Sequence, residues 1–308
     1  MQSSVDLNIP ENVLGRAVTP PRKKFKEVIV PYLYLLPSLV LFSTFVYFPF
    51  FKTLYLSFSI TNAKGKVVEM VGMANYLEVI KSPEFKNSLM LTFKFVPMLA
   101  IPTLIIGFIL ALIANNKIRG SKAFQLMFSM PMAVASAPAA IIWMLIFHPS
   151  IGLMNFVLRA NIGWLTDEKY ALISVAVVTI WLNLGVNFIF LLSGLKGIPE
   201  ELIESASIDG ANYFQKLFKI IIPMVSPTLF FVIFIDIINA FQAFGQVKLM
   251  TGGGPNDATN VLVHSIYREA FFNNRFEMAS TQSVILFCIM LFITIIQFKF
   301  EKKGVFYK

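Results

Sequence analysis

The sequence predicts an all-α membrane protein, a bundle of six transmembrane helices with both termini in the cytoplasm. Three observations support this fold class: 56% of the residues are hydrophobic, only 14% are charged, and six apolar stretches are each long enough to cross a bilayer. Such a chain is solvated mainly by lipid. Its 308 residues suffice for one bundle with short loops, so we expect no additional nucleotide-hydrolysing domain.

The six apolar stretches predict the spanning helices. A helix needs roughly 20 mostly apolar residues to cross a hydrocarbon core about 30 Å thick. In chain order, the predicted spans are Tyr32–Phe51, Phe95–Ile113, Phe124–Phe147, Ala171–Leu195, Thr228–Gly245 and Ser280–Phe298. The first is too long for the apolar part of a signal peptide and lacks a small-residue cleavage site. Pro131 and Pro138 predict a kink in the third.

The positions of the basic residues predict the orientation. Lys and Arg beside short loops mark the cytoplasmic side of a membrane protein. Such bases precede the first span, connect the second and third spans, and follow the sixth: Arg22, Lys23, Lys24, Lys26, Lys117, Arg119, Lys122, Lys299, Lys302, Lys303 and Lys308. Residues 1–30 are therefore predicted to be a cytoplasmic N-terminal tail, and residues 31–308 the transmembrane domain.

Charge and rare residues exclude several other functions. The net charge of +9 suggests nucleic acid, but the bases lie beside apolar spans, where they attract anionic membrane lipid instead. The single Cys288 excludes an intramolecular disulfide. His148 and His264 have no second ligand at metal spacing, so we expect no metal site. No convergent set of His, Ser or carboxylates indicates catalytic residues.

The connection between the fourth and fifth spans, at about residues 196–223, has the pattern of two short helices that meet at a glycine. Pro199 and the acidic residues after it favour a helix start, and Asp209-Gly210 favours a sharp exit. The next segment has apolar residues at helical spacing, and we expect it to end before Pro223. Residues 196–223 are called the knuckle below.

The knuckle resembles the EAA loop in the membrane subunits of binding-protein-dependent ABC importers. The resemblance lies in Glu204-Ser205-Ala206, Asp209-Gly210-Ala211 and Ile220 to Pro223, although Ser205 stands where Ala is usual. It implies a coupling helix that docks on an ATPase subunit, with a charge-assisted pair at Glu204 and a turn at Gly210. The coupling residues that it implies are Glu204, Ala206, Asp209, Gly210, Ala211 and Pro223. The alternative is an ordinary amphipathic helix on the membrane surface.

Other segments are similar to the carbohydrate-uptake group of these permeases, especially its glycerol-3-phosphate branch. They are residues 71–76, 250–255 and 266–303, so the resemblance covers most of residues 31–303. It implies a permease of the ABC importer type in a prokaryotic plasma (inner) membrane, importing a sugar or related solute. The implied partners are ABC ATPase subunits, a second permease and an extracytoplasmic solute-binding protein. The second permease is expected to be non-identical, with a homodimer as the alternative. Because no G-x-x-x-x-G-K-[ST] sequence occurs, ATP would be used by the partners and no cofactor bound here.

Polar residues inside the spans are candidates for a solute path. Polar groups are costly in hydrocarbon and usually face the interior of a bundle. The candidates are Asn183, Asn187, Asp236, Asn239 and Gln242. Their amides and carboxylate suit sugar hydroxyls, but hydrogen bonding between helices explains them equally well. The charge of Asp236 argues against a phosphorylated solute unless Lys94 or Arg268 offsets it.

Two alternative functions remain open from the sequence. An ion-coupled secondary transporter of a small polar solute would use Asp236 and Lys94 for proton coupling, but it would leave the knuckle unexplained. A membrane-embedded enzyme would need a catalytic set that the sequence does not offer. Neighbouring genes for an ATPase and a binding protein would discriminate the importer from both.

Overall fold

The computed structural model describes residues 25–116 and 120–304. Most of the predicted tail and several of the bases used to predict the orientation, including Lys117 and Arg119, lie outside those residues. The chain divides into two compact units, Met1–Lys52 and Thr53–Lys308. In the first unit, α1 (Phe25–Phe42) continues through a π-helical turn at Ser43–Tyr47 into the start of α2 (Phe48–Ser57). The predicted boundary at residue 30 stays a prediction.

The second unit contains the remaining described elements and is predominantly helical. In chain order these are β1 Ser59–Thr61, β2 Val67–Met70, α3 Ala74–Lys81, α4 Pro83–Asn115, α5 Ser121–Ser129, α6 Ser136–Ile146, α7 Leu153–Leu158, α8 Glu168–Lys196, α9 Glu200–Ile208, α10 Tyr213–Lys216, α11 Ile222–Phe241, α12 Gly245–Met250, α13 Leu262–Phe271 and α14 Phe276–Gly304. A 3₁₀ turn, Met130–Ala133, follows α5, and a π-helical turn, Leu217–Ile221, joins α10 to α11.

Helix length and composition confirm a chain with several membrane spans. Within the described residues, the helical segments long and apolar enough to cross a bilayer are Tyr32–Ser57, Pro83–Asn115, Glu168–Lys196, Tyr213–Phe241 and Phe276–Lys302. A sixth crossing exists if the bent pair Ser121–Ala133 and Ser136–Ile146 is one span. The count of six and the orientation of the termini stay predictions.

The third predicted span is broken rather than kinked. Its two halves meet at 104°. Pro131 lies in the 3₁₀ turn and Pro138 in the first turn of α6. A proline in a first helical turn removes no helical hydrogen bond, so the two prolines are compatible with a stop and a fresh start. The prediction of one continuous helix over Phe124–Phe147 was therefore wrong.

A small hairpin departs from the all-α prediction. β1 and β2 are antiparallel, with Ser59 opposite Met70. The turn between them forms because the Asn62 side chain accepts hydrogen bonds from the backbone N–H groups of Lys64 and Lys66, each at 3.0 Å. The Thr61 hydroxyl donates to Glu277 at the start of α14 (2.5 Å), a pairing between residues far apart in sequence.

The apolar core follows α8. Leu99 of α4 and Val175 of α8 are fully buried in one apolar cluster, and Ala111 of α4 and Leu191 of α8 belong to a second cluster that also includes α11. Because α4 and α11 both pack on α8, this helix fixes the positions of the polar groups that its neighbours carry.

Two glycines let neighbouring segments approach α8 closely. A Cβ atom at Gly185 would lie 2.9 Å from the backbone nitrogen of Met132, in the 3₁₀ turn. A Cβ atom at Gly194 would lie 2.6 Å from the Thr228 hydroxyl on α11. Small residues permit this backbone approach between membrane helices. Because Gly185 has no side chain, the break of the third span can pack directly against α8.

Candidate functional site

The first arm of the knuckle is α9, and it ends in a Schellman motif. Pro199 precedes the helix, and two glutamates occupy its first turn. Gly210 has a φ of +78°, a conformation that disfavours any residue with a side chain. The N–H of Gly210 donates to the Ser207 carbonyl (3.2 Å), and the N–H of Ala211 donates to the Ala206 carbonyl (2.9 Å). The predicted turn at Gly210 is thus a defined helix stop.

The second arm of the knuckle starts with a capping box. The Asn212 side chain accepts a hydrogen bond from the N–H of Gln215 (2.9 Å), and the Gln215 side chain accepts one from the N–H of Asn212 (2.8 Å). Lys216 Nζ then donates to the Ser207 hydroxyl on the first arm (3.2 Å). The bond from Lys216 to Ser207 joins the two arms.

The helix after the knuckle's turn does not end before Pro223, which corrects the sequence prediction. It runs without interruption from Tyr213 to Phe241. Proline lacks an N–H and its ring crowds the carbonyl four residues earlier, which is that of Lys219. The π-helical turn Leu217–Ile221 widens the helix at this point and accommodates the ring. Pro223 therefore marks a local widening inside one long helix.

One face of α9 is exposed and carries two carboxylates and an apolar side chain. Glu201, Glu204 and Ile208 lie three and four residues apart, so they share a helix face. All three are exposed, and the Ile208 side chain is 88% exposed. Glu204 also borders a cavity of about 680 Å³ with Lys196 and Lys216. Ile208 is thus an apolar residue presented to solvent beside two carboxylates.

Ile208 was missed by sequence reasoning. The signal was available, because an apolar residue occurs on the same helix face as two glutamates, seven and four residues earlier. A helix lying on its apolar face would bury that position. In the structure the half-buried face of α9 carries Ile203 and Ala206 instead. Ala206 thus packs inward, and the exposed face presents Glu204 and Ile208.

Two of the predicted path residues pair with each other in the interior. Asn187 Nδ2 of α8 donates to Asp236 Oδ2 of α11 at 2.6 Å. Asn187 is 2% exposed and Asp236 is 0% exposed. Their hydrogen bond fastens α8 to α11, in a medium where an unpaired polar group is costly.

The other three predicted path residues are accessible. Asn239 Nδ2 donates to Asn183 Oδ1 at 3.3 Å, and Asn183 Nδ2 donates to the Thr179 carbonyl at 2.9 Å. Asn183 is half-buried, whereas Asn239 and Gln242 are exposed. The structure therefore divides the set into an interior pair on one side and an accessible amide group on the other. Their contact with solute stays a prediction.

The glycine-rich run at Gly252–Gly254 is a turn that packs on a histidine. Gly253 has a φ of +90°, and a Cβ there would lie 2.7 Å from the His264 ring. His264 is buried, and its Nδ1 lies 2.8 Å from the Asn260 side-chain oxygen. Burial, followed by the nearby charge of Lys248, lowers the pKa of His264 to about 4. Within residues 25–116 and 120–304, no group of three or more His, Cys, Asp or Glu residues could hold a metal ion.

A multi-span helical bundle with a self-braced knuckle before its penultimate long helix defines a membrane transport permease. Residues 103–303 match the family described as "Binding-protein-dependent transport system inner membrane component", and the chain belongs to this family. Membership confirms the predicted class, an ABC importer permease, and its inner-membrane location. It also confirms the predicted partners: ATPase subunits, a second permease and a binding protein. The alternative of a secondary transporter is not supported.

Curated relatives match the chain over nearly its whole length. The sn-glycerol-3-phosphate transport system permease protein UgpA of Agrobacterium fabrum is 36% identical over 287 residues, covering 92% of this chain and 98% of the relative. The protein of the same name from Rhizobium meliloti is 35% identical over 290 residues, covering 93% and 99%. The one from Yersinia pestis is 33% identical over 295 residues, covering 94% and 100%.

Solved structures share the fold. A chain from a bacterial ABC transporter involved in the import of the acidic polysaccharide alginate superposes with a TM-score of 0.80 at 21% identity, covering 90% of this chain and 96% of the other. A second structure, of a bacterial alginate ABC transporter in complex with a periplasmic protein bound to an alginate pentasaccharide, also gives 0.80, at 20% identity and coverage of 91% and 97%. At these identities the likeness concerns the fold.

Proposed function

We propose that this chain is the permease subunit of an importer for a sugar-related solute, with sn-glycerol 3-phosphate as the first candidate. The proposal rests on the relatives named as sn-glycerol-3-phosphate permeases, which match more than nine-tenths of the chain. The solute is delivered by an extracytoplasmic binding protein. ATP is hydrolysed on the partner ATPases, and this chain binds no cofactor.

The observation that carries the proposal is the exposed face of the knuckle. Glu204 and Ile208 lie on a helix that ends in a Schellman motif and is joined to the second arm by the hydrogen bond from Lys216 to Ser207. It docks on an ATPase subunit, with Ile208 as the apolar anchor and Glu204 as the charged partner. Asp209, Gly210 and Ala211 form the turn.

The knuckle connects directly to the solute path. The helix that begins at Tyr213 continues to Phe241 and carries Asn239 near its far end. Displacement of the knuckle by the ATPase therefore moves the accessible amides of α11. Asn183, Asn239 and Gln242 line the path, while the Asn187–Asp236 bond keeps α8 and α11 in register beside it.

The proposed topology has six spans, with the bent pair counted as one, and both termini in the cytoplasm. Basic residues beside the end of α4 and in the last turns of α14 support it. The knuckle then lies on the cytoplasmic side, where ATPases are found. The opposite end of the bundle, which includes the start of α4, the start of α8 and the turn at Gly252–Gly254, faces the binding protein.

The test is co-purification from the native membrane in detergent. The wild-type chain is expected to retain an ATPase and a second permease. Glu204→Lys reverses the docking charge, and Gly210→Pro removes the left-handed turn, so both are expected to lose the ATPase. Glu69→Lys, an exposed acid on β2, is the matched control and is expected to retain both partners. A wild-type chain that takes up solute in vesicles without ATP would refute the proposal.

A further inference from the structure

A crevice of about 410 Å³ lies between the start of α8 and the first third of α4. Its polar lining consists of Asn87 and Lys94 from α4, Glu168 and Lys169 from α8, and Asn256 from the loop after α12. Apolar side chains of both helices form the rest of the wall. Neither the knuckle nor the amides of the proposed path belong to this crevice.

Lys94 is unusual because it lies within a long apolar helix. α4 has 33 residues and is about 50 Å long, which exceeds the roughly 30 Å of a hydrocarbon core. Lys94 lies about 17 Å from the helix start, next to Phe95, where the predicted span begins. An ionisable residue in a spanning helix usually marks a polar path or site. Within the described residues, Lys94 and Lys169 take part in no ion pair.

The acids near the two lysines are already engaged. Asp167 caps α8, because its side chain accepts a hydrogen bond from the backbone N–H of Lys169 (2.9 Å). Glu168 Oε1 accepts one from Asn256 Nδ2 at 2.5 Å. The ionisable groups that line the crevice are therefore two ammonium groups and one carboxylate, an excess of one positive charge.

The loop that closes the crevice is held in a defined shape. Asn256 and Asp257 both have positive φ, +46° and +58°. Arg268 of α13 pairs with the Asp257 carboxylate at 2.5 Å, and the Asn87 amide donates to the Asp257 carbonyl at 3.4 Å. The hydrogen bond from Asn256 to Glu168 completes the attachment to α8. The rim is thus built before any ligand arrives.

We propose that this crevice binds a phosphate group through Lys94 and Lys169. Lysine ammonium groups bind phosphate as compact point charges, and the amides of Asn87 and Asn256 are further donors within the same lining. The phosphate belongs either to a phosphorylated solute or to a lipid headgroup at the same depth. If the phosphate belongs to the solute, the inference rests on the proposed function. The crevice at the mouth of the path is then the site that selects an anionic solute.

The interior pair removes an objection to an anionic solute. Asp236 is fully buried and accepts a hydrogen bond from Asn187, so its carboxylate does not line an open path. The accessible residues of the proposed path are uncharged amides. An anion bound at Lys94 and Lys169 would therefore meet no exposed carboxylate among the proposed path residues.

The experiment measures binding to the full-length chain, purified with its native partners in nanodiscs of neutral phosphatidylcholine. The probes are sn-glycerol 3-phosphate and inorganic phosphate, with uncharged glycerol as the matched probe. Lys94→Gln and Lys169→Gln are each expected to weaken sn-glycerol 3-phosphate binding about tenfold, the loss of one charge-assisted contact. Lys94→Arg, which keeps the charge, is expected to restore most of the affinity. Lys86→Gln, an exposed lysine of α4 outside the crevice, is the control.

A second arm identifies the source of the phosphate. In nanodiscs that contain phosphatidylglycerol, native mass spectrometry counts the lipids retained by wild type and by the two Gln variants. Loss of retained phosphatidylglycerol, with solute binding unchanged, supports the crevice and assigns it to a lipid headgroup. Unchanged binding of both phosphate probes and of the lipid in both Gln variants overturns the proposal. Co-purification of the ATPase is independent of these lysines, so a chain that never retains an ATPase refutes the proposed function separately.

Discussion

Truncation of Ile208 to Ala is the sharpest test of the docking surface. The side chain is 88% exposed, so its removal costs the isolated permease almost no packing. If the ATPase buries it, the variant loses three carbons of buried apolar surface. At about 0.8 kcal/mol per carbon this is ~2.4 kcal/mol, or about fifty-fold in the dissociation constant of the ATPase.

The assay is binding of purified ATPase to the immobilised permease complex, measured by surface plasmon resonance. Ile151→Ala is the matched control, since Ile151 is 78% exposed and lies between α6 and α7, outside the knuckle. We expect the control to bind as wild type does, and both variants to melt at the wild-type temperature. Equal affinity for Ile208→Ala and wild type would refute the role of Ile208 as an anchor, because its side chain would then contribute nothing to binding of the ATPase.

Three further predictions concern the fold. Gly185→Val is expected to lower the thermal midpoint in detergent by several degrees, because its Cβ would meet the backbone of the 3₁₀ turn. Gly197→Ala is the control and should be neutral, because its Cβ has ordinary contacts. An unchanged midpoint for Gly185→Val would contradict the close approach. Removing Asn187 and Asp236 singly and together in a double-mutant cycle is expected to give a coupling of about 1 kcal/mol, and strict additivity would argue against the bond. His264, whose pKa is about 4 in the fold and ordinarily 6.5, is neutral when folded, so its contribution is complete above about pH 6.5 and falls as pH drops from 6.5 toward 4. His264→Gln should flatten the pH dependence of the midpoint in that window, and parallel curves would count against this.

Local signals were sufficient to predict the first arm of the knuckle and its turn. Pro199 and the acids after it fix a helix start, and Gly210 fixes its end, because helix boundaries depend on residues within one turn. The apolar spans were predictable for a similar reason, since bilayer thickness sets a length that composition alone reveals. Their ends were less accurate, because the helices continue past the hydrocarbon core into polar segments, as α4 does before Phe95.

Contacts between distant residues could not be predicted in the same way. The pairing of Thr61 with Glu277 and that of Asn187 with Asp236 join segments whose proximity depends on the packing of the whole bundle. Periodicity placed Asn183 and Asn187 on one face of a helix but could not separate the buried member from the accessible one. The π-helical turn before Pro223 was also not predicted, because sequence rules interpret a proline as the end of a helix and not as a local widening of it.

Under the proposed function, the contacts of α11 would transmit a displacement of the knuckle to the solute path. Because the helix is continuous from Tyr213 to Phe241, a displacement at its knuckle end reaches Asn239 without crossing a loop. The π-helical turn lies between the knuckle and the rest of the helix, and it is an irregularity of the kind at which helices bend. Beyond it, the close approach of Gly194 to Thr228 and the bond from Asn187 to Asp236 tie α11 to α8 at two levels. Because motion of α11 alone would break this buried hydrogen bond, we expect α8 and α11 to move together, with the bend at the π-helical turn.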